Sequence, residues 1–371
     1  MLPYLILAIT PLIVCSIYKK STQLKYVGIE NILKEKRENR YLIISGIAIF
    51  LFMALRSRYI GSTDTQGYCY LMNNAILSPN WKTFYDPDGV EKGFQLFTFA
   101  LSRVFKDAQW LIVISSAIYT VSTLYFIRNN SDDVIMSLVM YITLDLMRFE
   151  MQGMRQSIAM CICIFAYEFA KRKKPIRFFL LVALATQMHR TAIVFFVVYF
   201  IRHFKFKAIH MMIFMALSAA LFSVSDSLVS TANELFDTSY TSRVSSGGFV
   251  SVAIYGLIIL ATILCNKKLK DDSDTVMLFY ITILGVTCYL MRYFGTLIAE
   301  RISFYFVFAQ LALLPNTLNQ LSKNERPLIK FLVYGLMIAL CAYRLMGSNM
   351  LPYEFFWEVE VPTYNPYDFL Q

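Results

Sequence analysis

Apolar residues in this chain come in long runs, and the segments between the runs are short and largely basic. Runs lie at about 2–18, 41–55, 109–127, 133–147, 152–170, 206–224, 249–265, 275–292, 302–319 and 328–346. A stretch of roughly 17–20 apolar residues crosses about 30 Å of hydrocarbon as a helix. Backbone in lipid must satisfy its own hydrogen bonds, which leaves helices or a closed barrel, and the alternation of barrel strands is missing. The pattern predicts an all-α polytopic membrane protein, a bundle of about 10–12 transmembrane helices. Two shorter arms, 176–188 and 190–201, form either two short helices or one hairpin dipping from the cytoplasm. The run Phe94–Phe105 spans roughly 18 Å as a helix and is too short to cross. Its apolar positions 94, 97, 101, 104 and 105 predict a short re-entrant or interfacial helix near 94–105.

Charge orients the bundle. The clearest cytoplasmic loops are Lys19–Arg40, with seven basic residues, and Lys171–Arg177, with five. Counting crossings from these loops puts Arg56–Glu91 outside, and the polar stretch 226–248 outside as well. Residues 1–346 read as a single membrane domain, and 347–371 as an extracytoplasmic aromatic and acidic tail. The N-terminal run lacks a basic leader and a small-residue cleavage site, so a retained helix is expected. Composition agrees: 57% hydrophobic, 16% charged, mean hydropathy +0.52, against about 25% charged in soluble domains. The net charge of +10 sits in the cytoplasmic loops and does not suggest nucleic acid. Seven scattered cysteines show no metal spacing, and there is no P-loop, dinucleotide turn or HExxH. No cofactor and no metal are expected.

The same count gathers unusual polar residues on the outer side: Arg56, Arg58, Asp64, Glu91, Arg148, Glu150, Gln152, Arg155, Gln156, His189, Arg190, Arg243, Arg292, Glu300 and Arg301. Each ionisable group near a span costs on the order of 2.5–3.5 kcal/mol unless paired or wetted. Their concentration predicts a polar cavity facing the extracytoplasmic side. Arg148 and Arg155 share a face if their helix continues through Gly153; the alternative is snorkelling arginines paired with Glu150 or lipid headgroups. Arginine suits phosphate. His189 reads as a base or as a satisfied interfacial histidine. Asp64 and Glu91 read as a base, as sugar-hydroxyl ligands or as solvated loop residues. The nearby aromatics Tyr59, Tyr68, Tyr70, Trp81, Phe84 and Tyr85 suit a sugar face or interfacial anchoring.

Five segments in order carry a family likeness: Arg58…Gly61-Ser-Thr-Asp64-Thr65…Tyr68, Glu91-Lys-Gly93-Phe94, Met154-Arg155-Gln156-Ser-Ile-Ala159, His189-Arg-Thr-Ala192 and Glu300-Arg-Ile302. The chain resembles the EpsG-like branch of the Wzy-type polysaccharide polymerases over residues 1 to about 320. Arg190 stands where that family usually has a small residue. The resemblance implies a bacterial cytoplasmic-membrane glycosyltransferase, independent of metal and nucleotide. Such an enzyme joins undecaprenyl-pyrophosphate-linked oligosaccharide repeat units at the outer face. The expected catalytic residues are His189, Asp64 and Glu91. Arg58, Arg148, Arg155 and Arg301 are expected on the pyrophosphate, with Arg56 and Arg190 in reserve. Tyr68, Gln156, Glu300 and Arg292 are expected on sugar. Besides the lipid-linked substrate and the bilayer, a chain-length regulator and a flippase are candidate partners. Two other functions share these parts, a lipid-linked oligosaccharide transporter and a polysaccharide ligase.

Overall fold

The computed structural model describes residues 1–20, 30–61, 63–207, 249–269, 271–290, 297–346, 348 and 350–358. The described residues are almost wholly helical: α1 (Leu2–Lys20), α2 (Glu30–Ala54), α3 (Thr63–Leu77), α4 (Trp81–Phe84), α5 (Lys92–Val104), α6 (Gln109–Asn130), α7 (Val134–Thr143), α8 (Leu146–Gln152), α9 (Met154–Lys171), α10 (Pro175–Met188), a 3-10 segment (Arg190–Phe196) running into α11 (Val197–Ile201), α12 (Phe249–Cys265), α13 (Ser273–Leu290), α14 (Leu297–Val307), α15 (Gln310–Leu318) and α16 (Glu325–Leu345). Among them α6, α13 and α16 are long and apolar enough to cross a membrane by length and composition, and the other apolar helices are shorter. The expected span 206–224, the outer stretch 226–248 with Arg243, and Arg292 lie outside the described residues.

Around a largely apolar core, several helices turn small polar side chains inward and large apolar ones outward. On α6, Ser115, Ser116, Thr120, Ser122 and Thr123 are buried while Val121 faces out. On α16, Leu328, Phe331, Leu332, Leu336 and Tyr343 are all exposed. In water such a surface would be an aggregation hazard; against hydrocarbon it is the matching face. The same logic shapes α5, which buries Gln95, Thr98 and Ser102 and exposes Leu96 and Val104. This 13-residue helix is where the short helix was expected. It packs on α3 and α10.

Several boundaries differ from the sequence expectation. The segment expected as the first outer loop is not a loop: Asp64 lies in the first turn of a 15-residue helix, α3, whose Tyr68, Met72 and Ala75 enter the core at a spacing of four and three. The run 302–319 is two helices, α14 and α15. The run 133–147 ends at Thr143, because Asp145 takes a left-handed φ of 59°. The tail folds back: the Ser57 amide donates to the Glu354 carbonyl (2.9 Å) and the Phe356 amide to the Leu55 carbonyl (3.0 Å). Tyr353 Oη donates to the Phe52 carbonyl at 2.6 Å.

Two glycines permit close approaches, one just before α3 and one in the first turn of α5. Gly61 has φ +107°, and a Cβ there lies 3.1 Å from Gln152 Cγ. A Cβ on Gly93 falls 2.5 Å from the Gln187 carbonyl oxygen and 2.7 Å from its Cβ. Gly93 thus lets α5 touch α10. Gly93→Ala is expected to push the two helices apart, costing about 1–3 kcal/mol. A thermal-shift measurement in detergent checks this; an unchanged melting temperature sinks the reading.

Candidate active site

Two distant segments, the start of α9 and the end of α10, converge on one carboxylate. Glu91 caps the N-terminal end of α5, and its side chain is 9% exposed. His189 ends α10 in extended conformation, and the chain turns there so that His189 Nδ1 lies 3.0 Å from Glu91 Oε1. The same oxygen accepts the Arg190 amide at 3.0 Å. Glu91 Oε2 takes an ion pair from Nη1 of Arg155, the second residue of α9. Both carboxylate oxygens are therefore engaged. Burial pushes the Glu91 carboxyl up, but the His189 hydrogen bond, the Arg155 charge, the His189 charge and the Arg190 amide outweigh it and hold it down at about 2. An ionised carboxylate only accepts, so His189 Nδ1 is the donor. Burial lowers the His189 imidazole below its ordinary value, against the pull of Glu91, which favours the neutral ring with its lone pair on Nε2.

Around this pair sit further members of the expected set. Arg155 Nε donates to Tyr68 Oη at 3.3 Å, and its guanidinium lies 5.7 Å from the Tyr68 ring centroid. Tyr68 meets Phe94 edge-on at 5.4 Å, so α3 and α5 are fixed against each other by rings. Asp64 and Arg301 approach to 3.6 Å, both about 40% exposed (40% and 39%), so their pairing contributes little to stability. Gln156 Nε2 donates to the Arg301 carbonyl at 2.5 Å, tying α9 to α14. Glu300 adjoins Arg301 at the start of α14 and is half-buried. The structure thus brings together Asp64, Tyr68, Glu91, Arg155, Gln156, His189 and Arg301, with the Arg190 amide.

Other expected residues are placed elsewhere. Arg56 is fully buried and donates to the Met53 carbonyl (2.5 Å), the Met151 carbonyl (2.9 Å) and Ser116 Oγ (3.5 Å). It laces the end of α2 to the end of α8, and a ligand cannot reach it. Arg148 does not share a face with Arg155, because α8 stops at Gln152 and α9 starts afresh after Gly153. Neither pairs with Glu150, which is 2% exposed and takes the Tyr141 hydroxyl. Arg148 instead binds Asp145 (2.6 Å), whose other oxygen takes Arg344 (2.9 Å). Arg344 also donates to Ser251 Oγ at 2.6 Å. The sequence reading missed Asp145 and Arg344, although each is a charge at the end of an apolar run. Arg58 is half-buried near Cys69, without an ion pair among the described residues.

The model of the EpsG family matches residues 39–355 of the 371. The chain belongs to the EpsG family. No curated protein and no solved structure matches it. Membership makes this a membrane protein of polysaccharide biosynthesis. The matched range of this EpsG-family chain includes every residue of the Glu91 cluster and reaches into the tail segment that packs on residues 52–57, taking in Tyr353 and Glu354. Among its described residues no group of three His, Cys, Asp or Glu side chains is placed to hold a metal ion.

Proposed function

We propose that this EpsG-family protein is a membrane glycosyltransferase that polymerises undecaprenyl-pyrophosphate-linked oligosaccharide repeat units at the outer face of the cytoplasmic membrane. The observation that carries the reading is the shared carboxylate: Glu91 holds an imidazole on one oxygen and a guanidinium on the other. A proton acceptor and a fixed cation therefore stand in one site, and glycosyl transfer from a pyrophosphate needs both.

In this reading His189 Nε2 takes the proton of the acceptor sugar hydroxyl, with Glu91 holding the ring. The hydroxyl oxygen forms a bond to the anomeric carbon of the growing chain. The bond from that carbon to the pyrophosphate oxygen breaks, and the electron pair leaves with the lipid pyrophosphate. Arg155 and Arg301 stabilise the negative charge that develops there. The leaving group is already activated, so the reaction calls for no nucleotide. Tyr68 accepts from Arg155 Nε and Gln156 donates to the Arg301 backbone carbonyl, so both hold the elements that carry the two arginines, and in the same reading they contact the sugar.

The test is purified protein in lipid nanodiscs given a synthetic pyrophosphate-lipid repeat unit, with products resolved by gel and mass spectrometry. A ladder at integer repeat spacing is expected. Lipid that binds but is never extended overturns the reading in favour of transport, and transfer to a different acceptor overturns it in favour of a ligase.

A further inference from the structure

Glu91 also lines a cavity of about 220 Å³, together with Tyr85, Asp86, Lys92, Thr186, Gln187 and Arg190. Its walls are fixed. Gln95, 1% exposed, donates from Nε2 to the carbonyls of Asp86 (2.7 Å) and Val90 (2.6 Å), and its Oε1 accepts the Asp86 amide at 3.0 Å. These three bonds pin the 86–90 loop onto α5. The opposite wall, the last turn of α10, is set by the Gly93–Gln187 contact. Tyr85 is held flat against Trp81, with ring centroids 5.2 Å apart and planes 22° apart, and Trp81 packs edge-on against Phe99. The Lys92 ammonium lies 5.8 Å from the Tyr85 ring centroid.

The lining combines an aromatic ring, an amide, a hydroxyl, a carboxylate and cations. That set suits a polyol, which offers both donors and acceptors and an apolar C–H face. Two carboxylates, Asp86 and Glu91, disfavour a phosphate. The volume is below the roughly 300–1,000 Å³ of sites for drug-sized ligands, the scale of one sugar ring. His189 does not itself line the cavity, but Glu91 does, and Glu91 Oε1 lies 3.0 Å from His189 Nδ1, so the imidazole is one hydrogen bond from the lining. Resting on the glycosyltransferase reading, we propose that this cavity is the acceptor subsite, holding the terminal sugar of the incoming repeat unit with its hydroxyl toward His189.

The experiment measures binding to the full-length protein in nanodiscs of two probes. One is the lipid-free oligosaccharide released by mild acid from the source organism's own lipid-linked repeat units, and the other is undecaprenyl pyrophosphate without sugar. Tyr85→Ala and the cavity-filling Thr186→Trp are each expected to weaken oligosaccharide binding about tenfold or more, and to leave undecaprenyl pyrophosphate binding unchanged. Thr186 and Tyr85 stand on different elements, so a folding failure of one variant leaves the other to decide. Oligosaccharide binding that neither variant alters, or none to the wild type, overturns the subsite. If the cavity binds oligosaccharide but the lipid-linked unit is never polymerised, the sugar site stands and the transfer reading falls.

Discussion

Arg155→Ala is expected to abolish the polymer ladder, lowering the rate by about 10²–10³, the usual consequence of removing one preorganised donor to a developing oxyanion. The loss has two sources, which a second substitution separates. Alanine removes the cation that meets the pyrophosphate, and it also strips Glu91 Oε2 of its ion pair. Breaking one side of a buried pair costs about 3–5 kcal/mol, although His189 and the Arg190 amide still hold the other oxygen. Arg155→Lys keeps a charge for Glu91 but loses the planar fork that binds phosphate and the Nε contact to Tyr68. The lysine variant should therefore melt near the wild type and still lose about tenfold or more in rate. Lysine with full activity refutes the phosphate role and leaves Arg155 a structural counter-ion.

The second large effect belongs to the Glu91–His189 pair. His189→Ala should cost about 10²–10⁴ in rate, the range for a positioned general base. Glu91→Gln tests the positioning residue by a signature that packing alone cannot give. Glu91 is held at about 2, so it stays ionised over the working range, and an acid limb of slope one in the pH–rate profile reports the imidazole. Replacing the carboxylate removes the charge that favours imidazolium, so that limb should move to lower pH as the rate falls. A limb that does not move contradicts the assignment. Stability follows Glu91 separately. Its folded value lies below its ordinary value of 4.5, so its contribution is full above about pH 4.5. That contribution drains away as pH falls toward about 2, and Glu91→Gln should flatten the melting temperature across this interval.

The cluster was legible in the sequence because charge at the ends of apolar runs has few reasons to be there. Glu91, Arg155, His189 and Arg301 each announce themselves against apolar neighbours, and together with Asp64 and Tyr68 they meet. What the pattern conceals is how a charge is satisfied. Arg56 and Arg58 look alike in sequence, yet Arg56 is sealed against backbone carbonyls. Periodicity also passes through breaks that single backbone angles create. Asp145 at φ 59° ends α7 ahead of Arg148, and the restart after Gly153 separates Arg148 from Arg155, which a continuous helix would have aligned. The helix α3 was hidden by its polar composition: its buried face is set by Tyr68, Met72 and Ala75 among loop-like neighbours.

The backfolded tail bears on how the protein is made. The hydroxyl of Tyr353 reaches Phe52 across 301 positions, and Glu354 and Phe356 complete the hydrogen bonding of residues 55–57, the stretch that leads into Asp64. A ribosome has threaded almost every helix into the bilayer before these partners emerge. Until then the segment after α2 lacks the partners that complete its hydrogen bonding, and the wall that carries Asp64 and Tyr68 is finished by residues made 301 positions later.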